Sequence, residues 1–199
     1  MSAKSPKPAP KTWTRLVREP RGYRSREAAL FLAQFDTLSA VMWEDLAGAT
    51  AAELAWQAGP GQNTIGMLLA HMALVEVIWI QRAGKGNDYD AIPGVLGIGI
   101  AESGMPLPAA GAPPASLRGW TLADFRDLHR RARAFAKRAA KRLTDADLER
   151  VVVSKLRSGD RMRVNLRWIL HHLLEHFAGH YGQALLLRHQ YADRRRRRR

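Results

Sequence analysis

The chain has 199 residues, 46% hydrophobic and 25% charged, enough for one domain that buries its own core without staples. It has no cysteine, which excludes a disulfide framework, a thiolate metal site and a cysteine nucleophile, and fits a reducing, cytoplasmic setting. Its net charge of +14 is concentrated at the two ends: six lysines and arginines against Glu19 in residues 1–22, and six arginines in 194–199.

Both basic blocks read as disordered, with weak nucleic-acid contact as their functional option. Residues 23–193 are then the single folded domain. No run of 18 apolar residues occurs, so no membrane span is expected, and the Pro/Lys-rich start lacks the apolar stretch of a signal peptide.

Order is expected from Ser25, a helix N-cap, with Leu30, Ala33, Leu38, Val41 and Leu46 as the apolar stripe of a first helix ending at Gly48. Asn63 or Thr64 caps a second, largely buried helix that Gly84 closes. Residues 85–118 are dense in Gly, Pro and Ala without a sustained period. A connection that long suggests a crossover or a cover over a site. Thr121 and Asp124 form a capping box opening a third helix with Leu122, Phe125, Leu128, Ala132, Phe135 and Ala139 on one stripe. Two short extended pieces flank a Ser-Gly-Asp turn at 158–160, and Asn165 caps the last helix. Four long helices with negligible strand predict an all-α four-helix bundle with a long crossover.

The last helix contains "HHLLEHFAGHYGQALLLRHQ" (171–190), with four of the seven histidines inside ten residues. At 3.6 residues per turn, His172, His176 and His180 form a ladder along one side, while His171 points to a neighbouring face. An i, i+4 histidine pair turns two imidazoles toward one ion, and a third ligand must come from elsewhere. His129 lies among Arg130, Arg131 and Arg133, which reads as a solvated cationic face, and His189 is near the basic tail. His71 is on the apolar stripe of the second helix with Leu68, Val75 and Ile78, and is the credible third ligand. On spacing alone, His172–His176 and His176–His180 are equivalent pairs. His172, Glu175 and His176 also spell H-x-x-E-H, but the downstream glutamate ligand of that zinc motif is missing. Glu175 and Glu76 adjoin the ladder, either as partners of the ligands or as solvated surface acids. Gly182 suggests a close-packed neighbouring helix, and Gln183 either orients a ligand or lies at the bundle rim.

"GQNTIGMLLAHMALVE" (61–76) together with "LRWILHHLLEHFAGHYGQALLLR" (166–188) resembles the DinB family of four-helix-bundle metalloproteins, which includes DinB-like thiol S-transferases. The pattern is a histidine late in the second helix, His71, followed by "HxxxHxGQ" in the fourth: His176, His180, Gly182 and Gln183. The resemblance covers about residues 25–190. It implies a divalent metal on His71, His176 and His180, and frequent homodimers; by their position beside the ladder, His172, Glu175 and Gln183 are the candidates to line the site. It departs from the family at Gly179 and Tyr181, where a histidine and an arginine are frequent. The implied function is a metal-dependent enzyme acting on a small molecule, transferring a low-molecular-weight thiol to an electrophile or catalysing hydrolysis. The alternative is a non-catalytic metal-binding bundle. Zinc suits three imidazoles best, with nickel or iron possible.

Overall fold

The computed structural model describes residues 14–85, 91–105, 107–155 and 159–197. The first thirteen residues of the expected arm, the last two arginines and the serine of the Ser-Gly-Asp turn therefore lie outside the described residues. Residues 14–22 form neither helix nor strand and are mostly exposed, with Arg15 paired to Glu44 at 2.5 Å and Glu19 to Arg26 at 2.9 Å.

Four long helices make the bundle: α1 (Arg26–Asp45), α3 (Ile65–Lys85), α5 (Leu122–Ala140) and α7 (Leu166–Arg197). Short helices α2 (Ala51–Leu54), α4 (Ala91–Leu96) and α6 (Asp145–Glu149) lie between them. Each long helix starts on a side chain that accepts from an otherwise unpaired backbone N–H. Ser25 Oγ accepts from Ala28 at 3.1 Å, and Thr64 rather than Asn63 caps α3, accepting from Met67 at 3.1 Å. Thr121 and Asp124 close the expected capping box, and Asn165 Oδ1 accepts from Trp168 at 2.9 Å.

Helix α3 is the central element, packed on both α5 and α7. Its stretch Ile65–Gly84 is long and apolar enough to cross a membrane by length and composition, but most of it is buried inside the bundle. The buried face of α1 matches the expected stripe only at Leu46, which caps the helix. Ala28, Ala29, Leu32, Phe35 and Met42 face inward, whereas Leu30, Ala33, Leu38 and Val41 are only half-buried. Phe35 decides the rotation, its ring meeting Phe177 of α7 edge-on at 5.0 Å.

The long connection is not structureless. Ile92 and Leu96 of α4, Ile98 and Leu117 are buried, and 3₁₀ turns at Ile100–Ser103 and Ala115–Leu117 shape the rest. It packs on α3 and α5 as a crossover. The extended pieces pair as an antiparallel hairpin, β1 (Val151–Lys155) with β2 (Arg161–Asn165), in the register Val151↔Asn165 to Lys155↔Arg161.

The boundary expected at residue 194 falls within α7, which continues to Arg197. Arginine is a good helix former, and positive side chains are favoured at a helix C-terminus. Arg194 also lies over Trp56, 5.8 Å from the ring centroid.

A buried ion pair locks three helices together. Arg133 of α5 meets Glu76 of α3 at 2.6 Å and Asp36 of α1 at 2.6 Å, while its guanidinium lies over Phe35. Glu76 is 1% exposed, so its expected placement beside the ladder or on the solvated surface is corrected: it is a core acid held by Arg133.

Candidate metal centre

The histidine cluster lies in the seam between α3 and α7. The Nε2 atom of His176 is 3.1 Å from that of His71 and 3.1 Å from that of His180. One ring nitrogen from each of the three residues lies within 4.8 Å of the others. All three side chains are half-buried. His180 and not His172 completes the group, so the structure separates two pairs that spacing left equivalent.

Hydrogen bonding fixes the ring of His180. Its Nδ1–H donates to Gln183 Oε1 at 2.8 Å, leaving Nε2 with a lone pair turned toward the cluster. Gln183 therefore holds the His180 ring, although it is exposed at the bundle rim. Burial lowers the pKa of His71 to about 4 and that of His176 to about 3, with the neighbouring imidazoles adding to the effect. Both rings are thus neutral near pH 7, the form in which imidazole binds metal.

A proton cannot satisfy these nitrogens together. His176 Nε2 carries either one hydrogen or one lone pair, yet it faces two other Nε2 atoms at hydrogen-bonding distance. Since His180 presents a lone pair, a hydrogen on His176 serves only that contact. A lone pair on His176 would instead oppose the one on His180. One cation accepting all three lone pairs removes the conflict. At metal–nitrogen distances of about 2.0–2.1 Å, tetrahedral ligands are separated by roughly 3.3 Å, close to the spacing seen here. The donor set is three imidazoles with no thiolate, which suits a borderline divalent ion.

His172 lines the seam without joining the cluster. Its ring stacks on Trp168 at 4.7 Å with the planes 6° apart, meets Trp79 edge-on at 5.1 Å, and lies 5.5 Å from His176. Its Nδ1 is 2.9 Å from Glu175 Oε1, and this bond holds the exposed Glu175 carboxyl below its ordinary pKa. His171 is exposed on the neighbouring face, 3.6 Å from Glu175. Trp79 is the wall residue that pattern reading passed over. Its signal was its place on α3 two turns beyond His71, among residues read only as core.

Two further placements correct the sequence reading. His129 is not on a solvated face: it is 5% exposed, with Nε2 2.8 Å from the Leu69 carbonyl and its ring edge-on to Trp43 at 5.1 Å. The arginines around it diverge with the helical turn, leaving His129 on the inner side with Leu128 and Ala132. Gly182 does not admit a close helix, because a Cβ there would meet nothing within 4 Å. At the two departures from the family pattern, Gly179 is equally open, and Tyr181 donates its hydroxyl to the Asp45 carboxylate.

A family model described as mycothiol-S-transferase matches residues 31–193, which include α3 and α5 whole, most of α1 and α7, and every histidine of the cluster. No curated protein matches the chain. The helical bundle, the crossover and the extent of the match agree, and the chain belongs to the mycothiol-S-transferase family, whose members are DinB-like proteins.

Proposed function

We propose that the chain is a metal-dependent thiol S-transferase whose ion is held by His71, His176 and His180. The observation that carries this reading is the convergence of three imidazole Nε2 atoms, two contacts of 3.1 Å meeting at His176. When bound, a divalent ion, zinc by preference and nickel or iron otherwise, supplies Lewis acidity that favours a thiolate over a thiol or polarises an electrophile. In the transfer, the thiol sulfur bonds to an electrophilic carbon and the leaving group departs with its electron pair. The thiol proton passes to solvent.

The chain's own residues prepare that step. Gln183 holds the His180 ring so that Nε2 faces inward. Burial keeps His71 and His176 unprotonated. The stacked Trp168 and His172 rings, with Trp79 behind them, give one side of the seam an apolar wall. The family description names mycothiol, which we take as the thiol here, in a cytoplasmic homodimer.

The test is direct. Protein loaded with zinc, nickel or iron is mixed with mycothiol or glutathione and an alkyl halide, and the conjugate is read by mass spectrometry. Metal-dependent conjugation with mycothiol supports the reading. Metal-dependent hydrolysis of an ester or amide with no thiol conjugate replaces it with a hydrolase. Metal uptake without either activity leaves a binding protein.

A further inference from the structure

We propose that a groove between the C-terminal ends of α3 and α5 binds an N-acylated amino acid or a similar aliphatic carboxylate carrying an N–H donor. The groove encloses about 530 Å³, within the range of small-ligand sites. Ile80, Ala83, Phe135 and Leu143 give it an apolar lining. Ile80 follows His71 by nine residues, about half a turn around α3 at about 100° per residue, so the groove is separate from the histidine seam.

Its polar groups are of two kinds. Arg138, Arg142 and Arg150 stand along it. Arg150 already donates to the Ala83 carbonyl. Among the described residues neither the Arg138 nor the Arg142 guanidinium has a hydrogen bond or an ion pair. Arg138 lies near the end of α5 and Arg142 in the turn after it, both lining the groove, where like charges repel and a carboxylate would relieve both through forked hydrogen bonds. The second kind is Gln81, whose Oε1 is buried in the wall without a donor. An unmet buried acceptor calls for a ligand N–H, which an acylated amino group provides beside its carboxylate. The acyl chain then covers the apolar lining.

The experiment is calorimetric titration of the full-length, metal-loaded protein with N-octanoylglycine, its methyl ester and decanoate. One acid is expected per chain. The ester and the R138Q/R142Q double variant should each bind at least about tenfold more weakly, as expected for loss of a charge-assisted pair. Both arginines are exposed, so the variant keeps its fold, which circular dichroism verifies. Gln81→Leu should remove the preference for N-octanoylglycine over decanoate, which lacks the N–H. No binding by the parent protein, or equal binding of acid and ester, overturns the proposal. A dimer that the double variant dissociates would give the groove to a second copy and overturn it as well. None of these readouts depends on thiol transfer, so they fail or succeed independently of the proposed activity.

Discussion

His71 on α3 and His176 on α7 bring their Nε2 atoms to 3.1 Å across 105 positions of sequence, the long-range contact on which the centre depends. If the two share an ion with His180, alanine at any of the three should reduce bound metal from one equivalent to a small fraction. His172→Ala should retain it, since the His172 ring packs against Trp168 and Trp79 outside the cluster. Elemental analysis of the four purified variants decides this, with full occupancy in His71→Ala as the refuting result.

Gln183 would act on a bound ion only through the ring it holds. Replacing it with leucine removes the acceptor for His180 Nδ1–H and frees the tautomer. Losses of this kind typically weaken metal binding by about 10–100-fold while leaving the ligands in place. Competition with a zinc chelator should show that loss, with circular dichroism unchanged. A change below about twofold would mean that packing alone orients His180.

The Arg133–Glu76 pair predicts an asymmetric cost. Arg133→Met leaves the Glu76 carboxylate buried without its partner, and should destabilise the fold by about 3–5 kcal/mol in urea unfolding. Adding Glu76→Met removes the stranded charge and should recover much of that loss. A double variant no better than the single one would show that packing of Arg133 over Phe35 carries the effect.

The basic ends should add little to the fold. Deleting residues 1–13 and 194–199 removes the Arg194–Trp56 contact and one exposed ion pair, Arg196–Asp193. The expected loss is below about 1 kcal/mol, since exposed pairs contribute little. Any retention on DNA at low salt should fall with the same deletion. A larger drop in stability would make the helical arginines part of the bundle.

How much of this was legible in the sequence depended on whether the signal was local. Caps are local, and Ser25, Thr121 and Asn165 were readable because each serves a backbone N–H three residues on. The three clustered histidines were readable through a family pattern, since helical spacing alone could not choose between His172 and His180. Rotation of α1 was not readable. Leu30, Leu38 and Val41 make a plausible stripe, but the tertiary contact of Phe35 with Phe177 turns another face inward. Glu76 and His129 were misplaced for one reason. A charged or polar letter reads as surface until a partner on another helix is known, here Arg133 for the first and the Leu69 carbonyl for the second.

His129 carries the prediction on acid stability. Burial lowers its pKa to about 3, and the neighbouring Arg133 charge pushes the same way, while its bond to the Leu69 carbonyl opposes the shift. In the unfolded chain the same ring titrates near 6.5, so between about 6.5 and 3 the unfolded state binds a proton that the native state refuses. Stability therefore falls as pH drops through that window, by up to about 1.4 kcal/mol per pH unit for this residue. Above about pH 6.5 both states hold a neutral ring, and its titration contributes nothing. The metal ligands would add their own acid sensitivity, so the comparison belongs in metal-free protein, with His129→Gln set against the parent. Urea unfolding at several pH values from 7 to 4 should give the variant a shallower loss, with the two curves differing in slope by about one proton. Parallel curves would mean that His129 is protonated in the native state, and that its ring is open to water.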